Sequence, residues 1–366
     1  MEVSRLVRNS VKEVKPYIPG KPVEEVQREL GLQEIIKLAS NENLIGPSPK
    51  ALKAIKENLL KLNYYPDSSC YYLVRALAAK HGVSGEQIIV GSGADELIHH
   101  LMLVFIEERD EVIAAYPSFV MYEIATKVVD GSIILVGLKD FRHDLPEMLD
   151  KITSRTKLVF ICNPNNPTGT IVTADEVETF MNSLPDNVVV VFDEAYREYV
   201  EADDFPDSLN YLNQGRKVVI LRTFSKIYGL AGLRIGYGFT SQEIASYVNR
   251  VRGPFNVNSL AQAAAIAALE DEEHVRKSQQ LVWEGKKYLY DTLTKMGIAF
   301  VPTEANFILV EVGKDADSVF QALLREGVIV RSGKVLGFPF HIRVTIGHLH
   351  QNEKFIKSLR KILAVK

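Results

Sequence analysis

The 366-residue chain has little of several features that mark other classes of protein. Its two cysteines, Cys70 and Cys162, lack CxxC spacing, so we expect neither a disulfide framework nor a metal–thiolate site. No apolar run reaches the roughly 18 residues that a membrane helix requires, and residues 1–22 lack the apolar stretch of a secretory signal. These absences predict a protein of the reducing cytoplasm.

An excess of charge of either sign is also missing. Lys and Arg number 43 against 46 Asp and Glu, which gives a net charge of −3. Without a basic field, nucleic acid and anionic membranes are not expected as partners. A transcription regulator is disfavoured further, because no helix-turn-helix pattern is found ahead of the main domain. The apolar content of 46% is that of an ordinary globular protein, and the length favours two domains.

Residues 44–254 alternate short β-branched runs with segments of helical spacing. The runs GEQIIVGSG, DEVIAAYP, KLVFICNP, NVVVVFDE and RKVVILRT are typical of strands buried in a parallel sheet. Thr173 and Glu176 form a predicted capping box at the start of one helix. This alternation predicts an α/β domain with a mainly parallel sheet between two helical layers.

The two ends of the chain follow other patterns. Residues 1–43 are punctuated by Pro16, Pro19, Gly20 and Pro22, and through about Ala39 they are predicted to form an arm rather than part of the core. The arm is assigned together with part of a small domain. Residues 255–366 combine a long helical stretch, short strands and a final helix, which predicts a smaller α+β domain with its boundary near Pro254.

Two loops that follow predicted strands could bind a ligand. GSGADE, from Gly91 to Glu96, could present backbone N–H groups to a phosphate at a helix N-terminus, or it could be a plain tight turn; residues alone favour neither. NPNNPTG, from Asn163 to Gly169, could be a proline-rich turn, but it follows the carboxyl end of a strand, where open α/β sheets bind ligands.

Charged groups follow two further strands. Asp193 and Glu194 end the run VVVVF, and a carboxylate there is either a helix N-cap or a buried acid that needs a positive partner. Lys226 follows TFS and precedes a glycine-rich run. It is either a surface lysine or a desolvated amine able to form a Schiff base.

One cofactor suits this whole combination. A strand-end lysine, a strand-end carboxylate, hydroxyls at Thr223 and Ser225, an arginine at position 234 and a helix N-terminus together match the requirements of pyridoxal phosphate. The lysine would form the Schiff base, and an aspartate would pair with the pyridinium nitrogen.

At this point the chain resembles the fold-type I pyridoxal-phosphate aminotransferases over essentially its whole length. The motifs SNEN, YYPD, GSGADE, NPNNPTG, DEAY, TFSK, GLAGLRIG and IRVTIG occur in the order found in that family. Each motif is weak alone, whereas the ordered set is specific. The resemblance implies a three-layer α-β-α large domain, a smaller α+β domain and a homodimer.

The resemblance also implies a role for individual residues. Lys226, Asp193 and Tyr196 would be catalytic. The cofactor would be bound by Gly93, Ala94, Asp95, Phe119, Asn166, Asp193, Tyr196, Thr223, Ser225, Lys226 and Arg234, and by Tyr65 from the partner subunit. The substrate would be bound by Tyr17, Asn43, Arg331 and Arg343, with Arg343 on the α-carboxylate of the amino donor and with Tyr17 and Arg331 on a substrate phosphate. No metal is expected.

The implied reaction is transamination between a small amino donor and a 2-oxo acid, with histidinol phosphate and 2-oxoglutarate as the expected pair. PYIPGKP and Arg331 favour this pair over two alternatives on the same scaffold, an aromatic amino acid aminotransferase and a threonine-phosphate decarboxylase. A metal hydrolase that uses His99–His100 or His348 and His350 is less favoured, because neither pair has a visible third ligand.

Overall fold

The computed structural model describes residues 3–12 and 14–364. Its helices are α1 Asn9–Lys12, α2 Val23–Leu30, α3 Pro49–Asn58, α4 Tyr71–His81, α5 Ala94–Phe105, α6 Met121–Val128, α7 Leu145–Asp150, α8 Ala174–Ser183, α9 Ser208–Asn213, α10 Gln242–Val251, α11 Ser259–Leu269, α12 Glu272–Lys295, α13 Ala316–Arg325 and α14 Leu349–Leu363. Its strands are β1 Ile36–Lys37, β2 Ile88–Gly91, β3 Glu111–Tyr116, β4 Ser132–Gly137, β5 Thr156–Cys162, β6 Val189–Asp193, β7 Val218–Thr223, β8 Gly236–Thr240, β9 Phe300–Val301, β10 Phe307–Glu311, β11 Val328–Ile329, β12 Arg331–Ser332 and β13 His341–Thr345.

A seven-stranded sheet forms the centre of the molecule, in the order β2-β8-β7-β6-β5-β3-β4. All neighbours are parallel except β8, which runs antiparallel to both β2 and β7. The mainly parallel sheet confirms the predicted α/β class. Sequence reasoning missed β4 and β8, and β8 reads GYGFT, where two glycines hide the β-branched pattern of a buried strand.

Helices cover both faces of this sheet, and the side chains alternate between them. Val190 and Phe192 point to the face packed against α3, α4, α8 and α11, whereas Val189 and Val191 point to the face packed against α5, α6 and α10. The capping box of Thr173 and Glu176 is confirmed at the start of α8. Buried apolar layers on both faces fix the register of each strand, because a slip of one residue would move every side chain to the opposite face and disrupt the packing on both.

The small domain contains the sheet β12-β13-β10-β9, in which all neighbouring strands are antiparallel. The prediction that the chain through about residue 39 forms an arm rather than part of the core is wrong for the second half of this segment, which packs with the small domain. There α2 has a buried side chain at Val26, and β1 pairs in parallel with β11. The apolar residues that bury this segment, at positions 26, 38 and 39, are spaced too widely for a periodic pattern to show.

The long helical stretch predicted after residue 258 is two helices. α11 ends at Leu269, and Asp271 caps α12, since its side chain accepts the backbone N–H of His274. α11 lies against α3 of the large domain, while α12 contacts α14 of the small one. The chain therefore passes from the large domain to the small domain near this break. In the part of the chain that the structure describes, none of the helices has both the length and the apolarity needed to cross a bilayer.

Candidate active site

The carboxyl ends of β5, β6 and β7 lie side by side at one edge of the central sheet. Cys162 pairs with Asp193 in the register of β5 and β6, and Asp193 pairs with Leu221 two residues before the end of β7. The loops that carry NPNNPTG and TFSK leave the sheet at this edge. Parallel topology therefore brings together side chains that lie 30 residues or more apart in sequence.

Asp193 is a buried carboxylate, 4% exposed, that points toward α6. Its Oδ2 accepts the hydroxyl of Tyr122 at 2.7 Å, and its Oδ1 accepts the backbone N–H of Ala195 at 3.2 Å. None of the described residues forms a salt bridge with it, and burial raises its pKa to about 6 despite these two hydrogen bonds. The site thus offers a carboxylate that a cationic ligand would stabilise.

Lys226 stands a few residues past β7, in the expected loop, and is partly buried. Its Nζ donates to the carbonyl of Ser40 at 3.3 Å and lies 5.5 Å from the centre of the Tyr196 ring. Burial, and next the nearby Arg343, lower the pKa of this amine to about 8. A fraction of the amine is therefore neutral near pH 7, as a nucleophile or a base requires.

Tyr196 lies at the same edge, with its ring edge-on to Phe307 at 5.1 Å. Its hydroxyl oxygen accepts the side-chain N–H of Asn41 at 2.9 Å. Burial raises the pKa of this phenol, so the hydroxyl keeps its proton and can donate it in a hydrogen bond.

The GSGADE loop forms a close junction with β8. A Cβ at Gly236 would lie 2.4 Å from the Ala94 nitrogen, and a Cβ at Gly93 would lie 2.5 Å from Nη2 of Arg234. Gly93 also has φ of 87°, which L side chains rarely adopt. Because Gly93 and Gly236 have no side chains, the N-terminus of α5 can lie next to the Arg234 guanidinium. Nη2 of this guanidinium lies 3.5 Å from Asp95, and Nη1 lies 3.5 Å from Ser225 Oγ.

These contacts favour the phosphate interpretation of the loop over the plain turn. Backbone N–H groups of a helix N-terminus, an arginine and a serine hydroxyl converge there. Thr223 contributes less directly, because its Oγ1 accepts the backbone N–H of Ser225 at 3.0 Å and so shapes the turn after β7.

A cavity of about 530 Å³ opens beside these groups. Its lining includes Phe119, Asn166, Arg343, Arg331 and Tyr17. The structure thus brings five of the predicted site residues to one cavity, although they come from the arm, the large sheet and the small sheet. The Phe119 ring lies edge-on to Tyr122 at 5.6 Å.

The two arginines of the cavity face each other in the sheet, since Arg331 of β12 pairs with Arg343 of β13. Both are nearly buried, and burial lowers the pKa of each. Arg343 donates to Asn166 Oδ1 and, at 2.9 Å, to the carbonyl of Ala39. Arg331 donates to the carbonyl of Ile18, and its guanidinium lies 5.9 Å from the centre of the Tyr17 ring. No carboxylate among the described residues forms a salt bridge with either one.

Two predicted site residues lie elsewhere. The side chain of Asn43 donates to the Ile227 carbonyl at 2.7 Å and to Ser278 Oγ at 2.8 Å, so it holds the loop beside Lys226. Tyr65 is 82% exposed and stacks on Phe255 at 4.7 Å. Their substrate and partner-subunit roles stay predictions.

Sequence reasoning did not identify two residues that touch the site, Tyr122 and Asn41. Tyr122 lies three residues after Phe119, on the face of α6 that looks into the sheet, and this spacing could have indicated it. Asn41 belongs to the SNEN motif, of which the sequence analysis assigns only Asn43 to the site. Elsewhere, the described residues contain no group of three or more His, Cys, Asp and Glu side chains placed to bind a metal, and His348 contacts the Leu44 carbonyl at 3.0 Å.

The arrangement fits pyridoxal phosphate. The buried Asp193 carboxylate has no cation among the described residues, which suits a protonated ring nitrogen. The Gly93–Ala94 junction with Gly236 leaves the helix N-terminus open beside Arg234, which suits the phosphate. Between them lie an amine at Lys226 and a hydroxyl at Tyr196, which suit the aldehyde and the ring oxygen.

Comparisons with known proteins agree with this geometry. The profile of the family described as Aminotransferase class I and II matches residues 33–359. The histidinol-phosphate aminotransferase of Moorella thermoacetica is 54% identical over 98% of this chain and 93% of its own length. Histidinol-phosphate aminotransferase 2 of Carboxydothermus hydrogenoformans is 49% identical over 98% of this chain and 100% of its own length.

Among solved structures, the histidinol-phosphate aminotransferase of Sinorhizobium meliloti, in complex with pyridoxal-5'-phosphate, superposes with a TM-score of 0.89. It is 27% identical and covers 98% of this chain and 97% of its own.

Proposed function

Because the chain belongs to the class I and II aminotransferases, we propose that it transfers the amino group of histidinol phosphate to 2-oxoglutarate. Its cofactor is pyridoxal phosphate, in keeping with the family. The observation that carries the substrate proposal is the pair Arg331 and Arg343, two nearly buried guanidiniums in one cavity, neither of which forms a salt bridge with a carboxylate of residues 3–12 or 14–364. Such a pair suits substrates that carry a phosphate or two carboxylates.

Each residue has a definite task in this proposal. Bound pyridoxal phosphate supplies the electron sink for the electron pair left on carbon when the substrate loses a proton. Lys226, whose pKa is lowered to about 8, would remove and return that proton. Asp193 would provide the negative charge for the ring nitrogen, and Tyr196 and Asn166 would donate hydrogen bonds to the ring oxygen.

The arginines would divide the anions of the two substrates. Arg343, nearer to Asn166, is assigned to the α-carboxylate of glutamate and 2-oxoglutarate. Arg331, beside Tyr17, is assigned to the phosphate of histidinol phosphate. The contact of Arg331 with the Ile18 carbonyl is neutral, so a dianion would replace it at this guanidinium with a gain in electrostatic energy.

Single-turnover kinetics of the separate half-reactions test this division. Loss of a charge-assisted contact with a desolvated anion costs roughly 2–4 kcal/mol, or about 30- to 1,000-fold in rate. Arg343→Ala should slow the glutamate half-reaction far more than the histidinol-phosphate half-reaction, and Arg331→Ala should do the reverse. The exposed Arg325, at the end of α13, provides a matched control, since Arg325→Ala should change neither.

The same assay separates the alternatives. Equal losses in both half-reactions for both variants would contradict the division of anions. Faster turnover with phenylalanine than with histidinol phosphate would favour an aromatic aminotransferase, and release of CO₂ from phosphothreonine would favour the decarboxylase.

We also propose that the enzyme works in the cytoplasm as a homodimer with composite sites. Both cysteines are unpaired and buried, which suits a reducing compartment. Tyr65 stacks on the exposed Phe255, and Leu60, Tyr64 and Tyr72, which lie within seven residues of it in the sequence, are also exposed. Exposed apolar side chains of this kind suit a two-fold interface between copies of the chain, with Tyr65 reaching the partner's phosphate site.

Complementation tests the composite site. Tyr65→Phe subunits mixed with Lys226→Ala subunits should recover part of the activity, because one of the two sites in each mixed dimer would be intact. A fully active monomer at assay concentration would contradict the proposal.

A further inference from the structure

Three consecutive residues, 39–41, each contact a different functional side chain. The carbonyl of Ala39 accepts from Arg343 at 2.9 Å, and the carbonyl of Ser40 accepts from Lys226 at 3.3 Å. The side chain of Asn41 donates to the Tyr196 hydroxyl at 2.9 Å. Of these three contacts, only the one from Asn41 depends on side-chain identity.

Asn41 is buried, and it is hydrogen-bonded through its backbone as well as through its side chain. It is 1% exposed, its N–H donates to Thr345 Oγ1 at 2.9 Å, and its carbonyl accepts from Asn306 at 3.0 Å. Thr345 and Asn306 belong to the small domain, whereas Tyr196 follows β6 of the large sheet. Asn41 therefore fixes the Tyr196 hydroxyl relative to the strand that carries Arg343.

The orientation of the Asn41 amide follows from its neighbours. Thr345 Oγ1 accepts the Asn41 backbone N–H, so its own proton is free to approach Asn41 Oδ1, which lies 3.5 Å away. This leaves Nδ2 facing Tyr196. A phenol has one proton and two lone pairs. With one lone pair filled by an N–H donor, the Tyr196 proton must point away from Asn41.

We propose that Asn41 is a positioning residue that directs the Tyr196 O–H toward the ring oxygen of the cofactor and strengthens it as a donor. The inference rests on the role of Tyr196 in the proposed function. An N–H donor on the phenol oxygen polarises its O–H bond, so the two hydrogen bonds reinforce each other. A stronger donor holds more negative charge on the ring oxygen and weakens the pull of that oxygen on the proton of the neighbouring Lys226 nitrogen.

The inference is tested in the holoenzyme by a pH titration of its visible absorption band, which reports the proton on the Lys226 nitrogen. The groups that face Tyr196 are Lys226, Arg343, Cys162 and Asp193. Arginine keeps its charge throughout, and burial raises the pKa of the Cys162 thiol to about 12. In the holoenzyme the ring nitrogen would oppose the rise that burial causes in the pKa of Asp193, so that Asp193 stays ionised. The visible band therefore reports the proton on the Lys226 nitrogen.

The main variant is Asn41→Gly, because residue 41 has φ of 56° and glycine adopts this conformation without strain. The titration midpoint should rise by about half a unit to one unit, the size expected when one neutral hydrogen bond is lost. Asn41→Ala removes the same amide but adds backbone strain, so it should shift the midpoint equally, which separates loss of the amide from a change in backbone freedom. Asn41→Asp, which keeps the size of the side chain but removes the N–H donor, should also raise the midpoint and serves if the glycine variant does not fold.

A double-mutant cycle shows whether the effect passes through Tyr196. Tyr196→Phe should raise the midpoint by more than Asn41→Gly, and Asn41→Gly should add nothing in the Tyr196→Phe background. Asn352→Ala is the matched control. Asn352 is fully buried with both amide atoms bonded to Gly347, so its loss should lower the melting temperature and leave the midpoint unchanged.

Three results would overturn the inference. They are an unchanged midpoint in Asn41→Gly and Asn41→Ala, a shift that persists in the Tyr196→Phe background, and an equal shift in Asn352→Ala. If Tyr196→Phe itself leaves the midpoint unchanged, the role of Tyr196 in the proposed function fails, and the inference about Asn41 fails with it.

Discussion

Asp193 and Glu194 follow one another in the chain, yet they face opposite sides of the central sheet and have opposite surroundings. Glu194 is 1% exposed and lies on the α4 side, where its Oε2 meets Arg222 Nε at 2.9 Å and Nη2 at 2.8 Å. Arg197 approaches the same oxygen at 3.5 Å. Asp193, by contrast, accepts hydrogen bonds from the Tyr122 phenol and the Ala195 N–H and forms no salt bridge with any residue that the structure describes.

The difference separates a structural carboxylate from a functional one. Glu194 is neutralised within the protein and ties β6 to Arg222 on β7. Asp193 stays without a cation, at a free-energy cost that a cationic ligand would offset. Alternation along one strand therefore places a structural ion pair and a binding group one residue apart.

The largest expected effect comes from Lys226, on the functional side. Lys226→Ala should abolish transamination and leave the fold intact, because the side chain makes one hydrogen bond and no salt bridge that the described residues show. Wild-type protein should absorb visible light and, after borohydride treatment, carry a covalent label at Lys226. Labelling at another lysine would contradict the assignment.

Asp193→Asn should come next, with a loss of several orders of magnitude in turnover while the cofactor is retained. Without the carboxylate the ring nitrogen loses its charge partner, and each factor of ten in rate corresponds to about 1.4 kcal/mol. Single-turnover rates and the absorption spectrum provide the measurement. Turnover near that of the wild type would show that the contrast between the two carboxylates has no functional meaning.

Glu194→Gln should have the complementary effect, on stability. Removing the charge deprives the buried Arg222 of the salt bridge that it forms in the described part of the chain and leaves it only the more distant Glu198, which costs about 3–5 kcal/mol. Denaturant unfolding should show this loss, while the visible band of the folded variant stays in place. The exposed pair of Lys151 and Glu147 gives a control, since Glu147→Gln should cost at most about 1 kcal/mol.

The contrast between these two carboxylates was only partly visible in the sequence. The run VVVVFDE predicts a buried strand that ends in acids, and with Lys226 and the loop motifs it indicated the cofactor. Which acid faces which side depends on register, and register is fixed by the helices on both faces of the sheet. The partners Tyr122 and Arg222 lie 71 and 28 residues away from their acids, so only the folded chain pairs them.

Other residues of the site show the same division between local and distant signals. Lys226 follows a β-branched run, Arg331 ends one and Arg343 lies within one, which is a local signal that sequence shows. The strand GYGFT and the Asn41 contact with Tyr196 depend on neighbours 13 to 155 residues away, so no local pattern predicted them.

The smallest expected effect is a pH dependence of stability that Asp193 alone should produce in the cofactor-free protein. Its folded pKa of about 6 lies above the ordinary value near 4, so between these values the folded state binds more protons than the unfolded state. Wild-type stability should therefore fall as pH rises from about 4 to 6 and then level off, with a total loss of at most about 3 kcal/mol. Asp193→Asn should lack this decline, so that the two unfolding free energies diverge between pH 4 and 6 and stay apart up to pH 8. Denaturant unfolding of both proteins at pH 4.5, 6 and 8 measures the divergence.

Added pyridoxal phosphate should reduce the difference between the two unfolding free energies at pH 8, because it provides the cation that Asp193 lacks. If the unfolding free energies of the two proteins instead change in parallel with pH, burial does not raise the pKa of Asp193 and the ionised carboxylate carries no such free-energy cost.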